Sequence, residues 1–146
     1  MQSAISHWLL VERLENWNVD RSEQFRQFGL PRGKKKLGDL IKTGDLLIFY
    51  VSSGISSFAD VREARADGLL KLGLEGDYDS PYPWRVMTKP VLTLPRDRWV
   101  PIKSLIADLS LTAGRPDWRQ CMRTSLRRLE RGDATVILES MRFASK

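Results

Sequence analysis

Two asparagines flank a tryptophan in "RLENWNVD", residues 13–20, directly behind the apolar run "HWLLV". An Asn side chain carries two N–H donors and one acceptor oxygen, the groups needed to read the hydrogen-bonding edge of a nucleobase. Asn16, Asn18, Ser52 and Ser53 form a polar set of this kind. Asn16 or Asn18 could equally cap a following helix, since a short side-chain oxygen accepts an orphan N–H of a first turn. Aromatic residues are the natural complement, because a ring in a concave site stacks a base for roughly 1–3 kcal/mol. Trp17, Phe28, Tyr78, Tyr82 and Trp84 fall in or beside expected loops. Core packing is the ordinary use of such residues. The third ingredient is charge: "RGKKK" sets Arg32, Lys34, Lys35 and Lys36 in a row, and Arg85 follows Trp84. Such groups neutralise phosphates. Arg119, Arg123, Arg127 and Arg131, spaced by four, would form a ridge if their segment were helical.

Other chemistries find little support. The single His7 sits in an expected strand with no nucleophile elbow in the chain. Neither G-x-x-x-x-G-K-[ST] nor G-x-G-x-x-G occurs. One Cys and one His argue against a zinc site, so no metal and no cofactor is expected. Carboxylates look scattered, with Glu12 and Glu15 reading as a surface pair and Cys121 as an inert thiol. The balance of 24 Lys and Arg against 18 acids, net +6, favours a polyanionic partner. "LLIFYV", the longest apolar run, is too short to span a bilayer. With no signal-peptide pattern and a lone Cys, the expectation is a cytoplasmic protein with no membrane partner. Nothing fixes the oligomeric state.

These groups need a scaffold, and 146 residues suit one domain. "ISHWLLVER" and "LLIFYVSS" read as strands. "SFADVREAR" reads as a third, with Phe58, Asp60, Arg62 and Ala64 on one face. The spacing of Val19, Glu23, Phe25 and Phe28 predicts a helix over "NVDRSEQFRQF", ended by "GLPRG". "KKKLGDLIKTGD" is a short amphipathic segment closed by a Gly-Asp turn. The stretch "ADGLLKLGLEGDYDSPYP" reads as a long loop of the kind that often carries function. "WRVMTKPVLTLP" is a strand with an edge or bulge at Pro90. "PIKSLIADLSL" is turn-rich or helical. Trp118, Met122, Ser125, Leu126 and Leu129 predict a long helix over "RPDWRQCMRTSLRRLERGD", stopped by Gly132, with Asp133 capping a last helix. Strands first and helices last give an α+β domain.

Taken in order, "HWLLVERLENW", "FGLP", "IKTGDLLIFYVSSG" and "YPWRV" resemble the EVE domain of the PUA-like superfamily, over almost the whole chain (1–146). The resemblance implies a distorted β-barrel with helices packed around it, akin to YTH, PUA and ASCH domains. It also implies a non-catalytic reader of modified bases in DNA or RNA: methylated or hydroxymethylated cytosine, or methyladenine. The pocket it implies holds Asn16, Trp17, Phe28, Gly29, Leu30, Ser52, Ser53, Tyr82 and Trp84. In that pocket Phe28 and Trp84 sandwich the base, Asn16 and Ser52 read its edge, Trp17 anchors the helix start, and "RGKKK" holds phosphates. Phe28 stands where relatives usually carry Trp, and Trp84 where Tyr is commoner. The rival readings are a nucleic-acid module indifferent to modification, a small-molecule or nucleotide pocket, and a base-processing enzyme relying on His7.

Overall fold

The computed structural model describes residues 4–52, 54–71 and 82–146. Ser53, Tyr78 and most of the long loop expected before "YPWRV" lie outside the described residues.

Two apolar runs form the centre. β1 (His7–Glu12) pairs in parallel with β3 (Leu46–Val51), so Leu9 lies beside Ile48 and Glu12 beside Val51. The runs Trp8–Val11 and Leu46–Val51 of these strands are apolar without a break because both faces are covered. Leu9, Ile48 and Tyr50 enter one core; Trp8, Leu10, Leu47 and Phe49 enter the other. Alternating apolar and polar residues belong to one-sided sheets, and continuous apolar runs to sheets covered on both sides. The turn "KTGD" connects the two strands physically. Gly44 takes φ +93°, and the Asp45 carboxylate behind it accepts from Ser6 N, Trp8 Nε1 and Lys42 N.

Around this pair the other strands are antiparallel. α1 (Leu14–Ser22) follows β1, and β2 (Gln27–Leu30) comes next. A one-turn helix α2 (Lys35–Gly38) leads to β3, then to β4 (Ser57–Ala64), the short β5 (Leu70–Lys71), β6 (Trp84–Thr93), β7 (Val100–Pro101), β8 (Leu126–Leu129) and the closing helix α3 (Arg131–Ala144). The strand order is β2-β6-β4-β3-β1-β8, with β5 on β6 and β7 on β4. The mixed sheet curls into a half-barrel, the α+β distorted barrel expected from the sequence.

Two bulges shape it. β6 is irregular opposite Val61 and Arg62, where Leu92 and Pro90 are the partners, so the break at Pro90 is a bulge. On β4, Phe49 pairs with Asp60 and Tyr50 with Phe58, leaving Ala59 as the extra residue. That residue reverses the strand's phase. Phe58 therefore joins the first core, not the face of Asp60, Arg62 and Ala64 that simple alternation assigns it.

Three helix assignments made from spacing are corrected. α1 starts at Leu14 and ends at Ser22, so Phe28 lies on β2 and not on a helix. Asn16 and Asn18 are inside α1 and cap nothing; Arg13 holds the N-cap position without a side-chain hydrogen bond. The helix is stopped by Gln24 and Phe25, both at positive φ, 61° and 56°. Each such residue costs on the order of 1–3 kcal/mol. The Phe25 ring offsets this by packing against Trp17 at 5.5 Å, while Phe25 N donates to Asp20 O at 2.8 Å.

The long C-terminal helix does not form. Trp118–Met122 is a 3-10 segment, and Leu126–Leu129 is a strand antiparallel to β1. The far edge of β1 needs a backbone partner, and this segment supplies it. Leu126 enters the second core and Leu129 the first. A spacing of three puts two residues on one helix face but on opposite faces of a strand. Gly132 and Asp133 lie within α3. Asp133 does not cap that helix. It accepts from Ser110 N, Ser110 Oγ and Leu111 N, tying the preceding loop to α3.

Candidate nucleic-acid interface

α1 has two working faces. Trp17 points inward, meeting Trp99 edge-on with centroids 4.8 Å apart and donating Nε1–H to Asp60 Oδ1 at 2.8 Å. Asn16, Val19 and Asp20 line an open cleft of about 660 Å³. The end of β1 (Val11, Glu12) and Arg13 continue this wall. Phe28 and Gly29 of β2, with Tyr82 and Arg85, form the second wall; Met122–Ser125 form the third.

The floor is acidic and buried. Glu12, which sequence places on the surface, is 5% exposed, and Asp20 is 8% exposed. Behind them lies Arg62, fully buried, with its guanidinium 3.5 Å from the Phe49 ring centroid and 4.6 Å from that of Phe25. Its donors are distributed. Nε donates to Asp60 Oδ2 at 2.7 Å, Nη1 to Asp20 Oδ2 at 3.0 Å, and Nη2 to Glu12 Oε1 at 3.4 Å and Asp60 Oδ1 at 3.3 Å. Three carboxyls thus surround one guanidinium. Buried like charges at this range do not all ionise. Burial, and then the Asp20 charge, push the Glu12 carboxyl up to about 10, so Glu12 is a neutral acid at pH 7. Burial also raises Asp20, against the pull of Arg62. Glu12 and Asp20 share the retained proton. Apart from that proton, no donor reaches Glu12 Oε2.

The rim is basic. Arg13 and Arg123 are exposed and Arg85 is half-buried, and among the described residues none of them forms an ion pair. Gly29 is what lets Arg85 lie down across β2. A Cβ on Gly29 would collide with Arg85 Nη1 and come within 2.9 Å of Tyr82 Cβ. Arg85 Nε is buried without a partner. A second groove adjoins the first, sharing Ser52, Met122 and Arg123 and adding Tyr50, Trp118, Lys103 and Arg119.

Of the residues expected in a base pocket, Asn16, Phe28, Gly29, Ser52 and Tyr82 line the cleft. Ser52 is committed locally, since its N and Oγ both donate to Glu12 O. Phe28 is 5% exposed and stands edge-on to Phe49, so it offers the cleft a margin and not a stacking face. Leu30 and Trp84 are paired across β2 and β6 and pack with the second core, on the side away from Arg85. The Phe28–Trp84 sandwich is therefore corrected: Phe28 is buried in the second core, and Trp84, packed against that same core, is not among the cleft-lining residues. Trp84 instead carries Lys35 Nζ at 5.2 Å from its ring. Trp17 is a core residue and does not line the cleft. Arg32, Lys34, Lys35 and Lys36 lie on the turn and helix before β3, outside the cleft lining, with Lys35 bridged to Asp39 at 2.7 Å.

The four-spaced arginines share no ridge. Arg119 covers Trp118, Arg123 stands at the rim, Arg127 donates to Cys121 O, and Arg131 opens α3. His7 occupies the opposite end of β1 from Glu12, about 17 Å away at strand rise. Sequence reasoning missed Glu12, Asp20 and Arg13 as cleft residues, and set Arg123 on a helical ridge that does not form. The available signal was "SFADVREA", where charged Asp60 and Arg62 stand among Phe58, Ala59, Val61 and Ala64 in an expected strand, an arrangement that calls for buried partners.

No family model matches the chain. A UPF0310 protein of Pyrococcus abyssi is 28% identical over 125 residues, spanning 78% of this chain and 83% of that protein. A hypothetical protein from Leishmania major shares the fold with a TM-score of 0.71 at 16% identity, over 98% of each chain. The Mmi1 YTH domain, solved in complex with RNA, follows at 0.65 and 10% identity, covering 95% of this chain and 79% of that one. The DUF55 domain of human thymocyte nuclear protein 1 gives 0.63 at 16% identity, over 92% and 97%. The fold is thus one shared with YTH and DUF55 domains.

Proposed function

We propose that this protein binds a nucleic-acid strand and takes one base into the cleft between α1, β2 and the segment before β8, without catalysis. The base we assign is a modified one, a methylated or hydroxymethylated cytosine or a methyladenine, in DNA or RNA. The observation that carries the reading is the arrangement of charge. A floor of Glu12, Asp20 and Asn16 lies beneath a rim of Arg13, Arg85 and Arg123. That pattern suits a neutral, hydrogen-bonding base below and its phosphates above. A solved domain of the same fold carries RNA, which supports the choice of polymer. Flipping a base from a duplex costs a few kcal/mol, so single strands are the easier substrate. A single methyl in an apolar pocket supplies about 1–3 kcal/mol of discrimination. The preference for a modified base is accordingly modest.

The test is a binding panel of oligonucleotides carrying 5-methylcytosine, 5-hydroxymethylcytosine, N6-methyladenine or no modification. Each is taken single- and double-stranded at two salt concentrations. A preference of about five- to 150-fold for one modification supports the reading. Equal affinities across the panel would reduce it to a general nucleic-acid module, and absence of binding would remove it altogether.

A further inference from the structure

The second groove, of about 460 Å³, adjoins the cleft across a divider of Ser52, Met122 and Arg123, which line both. We infer that this groove is a separate subsite: it holds the sugar–phosphate of the nucleotide next to the one in the cleft, on one flank only, and leaves that neighbour's base unread. This rests on the nucleic-acid reading above and adds the path of the strand to it.

Charge separates the two cavities. Glu12 and Asp20 line the cleft, whereas the groove carries Lys103, Arg119 and Arg123 and, among its described lining residues, no carboxylate. All three cations are exposed, and none forms an ion pair among the described residues. A cationic concavity of this kind concentrates anions. The anion that a strand leaving the cleft brings to this edge is its next phosphate. The rings of the groove are not platforms for a base. Trp118 is 9% exposed, with the Arg119 guanidinium 4.6 Å from its ring centroid, and Tyr50 is 2% exposed and hydrogen-bonded to Ser56. Stacking needs an open ring face, which neither residue offers. Resting on Trp118 orders the Arg119 guanidinium in advance, so less side-chain freedom is lost when a phosphate arrives. Both walls are tied to the rest of the fold. Ser52 N and Oγ donate to Glu12 O, and Ile102 N donates to Ser56 O at 2.9 Å, which sets Lys103 beside the groove. A third groove, beside Glu23, Gln24 and Arg26, shares no residue with the cleft and balances its one arginine with a glutamate. Among the described residues the strand therefore has one adjoining cationic groove to enter.

The experiment uses two single-stranded pentanucleotides, a DNA centred on 5-methylcytosine and an RNA centred on N6-methyladenine. Each is made at full length, shortened by two nucleotides at the 5′ or the 3′ end, and with the two nucleotides of either end abasic. In fluorescence-anisotropy titrations at low salt, removing one end should weaken binding about tenfold and removing the other less than about threefold. Making the sensitive end abasic should cost less than about threefold. The double variant Lys103→Ala, Arg119→Ala, changed at two exposed positions, should bind the full pentanucleotide as weakly as the wild type binds the one lacking that end. It should bind the shortened form as the wild type does, because the groove is then unused in both. Equal losses at both ends, an abasic loss as large as that of truncation, or a variant that still distinguishes full from shortened ligand overturns the subsite and leaves nucleic-acid binding standing. Failure of the wild type to bind either pentanucleotide overturns the reading beneath it, and with it this inference.

Discussion

Trp17 Nε1 lies 2.8 Å from Asp60 Oδ1, and this bond joins α1 to β4 across the core. It fixes the rotation of α1 about its axis. The same helix turn brings Asn16 and Asp20 to the cleft lining. Trp17→Phe keeps most of the buried ring and removes the donor. It should cost about 1.5–3 kcal/mol of stability, the usual worth of a hydrogen bond to a carboxylate, with Arg62 Nη2 left as the remaining donor to that oxygen. It should also weaken base binding although Trp17 lines no part of the cleft. Urea unfolding alongside ligand titration checks both; unchanged binding would show that α1 is held by other contacts.

The second prediction concerns pH. Unfolded Glu12 loses its proton near its ordinary value of 4.5, whereas folded Glu12 keeps it to about 10. Asp20 is shifted the same way. Between those limits the native state binds more protons than the unfolded one, so this contribution to stability is full below about 4.5 and declines as pH rises toward 10. The facing charges are Asp20 from α1 and Asp60 and Arg62 from β4. For one proton the slope is at most about 1.4 kcal/mol per pH unit. Glu12→Gln should flatten it. Unfolding free energies at pH 5, 7 and 9 test this, and identical slopes for the two proteins would contradict the proton count.

Gly29→Ala separates binding from folding. The added methyl displaces the Arg85 guanidinium, the end of a flexible side chain, and presses on Tyr82. Stability should fall by no more than about 1–2 kcal/mol, within the ordinary range for point substitutions. Ligand affinity should drop about tenfold or more. The contrast between melting temperature and dissociation constant is the readout.

Arg13→Ala and Arg123→Ala, both at exposed positions, should leave stability nearly unchanged. Each should weaken all oligonucleotides alike and lower the slope of log K against log salt by about 0.7 for a single strand. Lys103→Ala and Arg119→Ala, in the adjoining groove, should act only on ligands long enough to reach it. A plot of affinity against oligonucleotide length distinguishes the two pairs.

The two central strands were legible because a sheet covered on both sides writes itself as unbroken apolar sequence. "HWLLV" and "LLIFYV" could be little else. The C-terminal segment was not legible for the same reason: once both faces of a strand are buried, Leu126 and Leu129 satisfy helix spacing and strand pairing equally. Only the unpaired edge of β1, a tertiary fact, decides between them. Asn16 was readable as a cleft residue from its polarity beside a strand end. Glu12 was not, since a carboxylate at a strand terminus ordinarily faces water, and its burial depends on Arg62, fifty residues later in the chain. Trp84 failed as a stacking residue because it packs against the second core beside Lys35, and no local signal in the sequence separates such a packed ring from one open to a cleft.

The placement of β8 has a consequence for the order in which the protein comes into being. The third wall of the cleft, Met122–Ser125, immediately precedes the strand that closes β1. A chain emerging from the ribosome therefore carries Asn16, Asp20 and Gly29 long before it carries a cleft, and until residue 129 has been made one edge of β1 stands open. Competence to bind arrives together with protection from strand-to-strand association, in a single late step of synthesis.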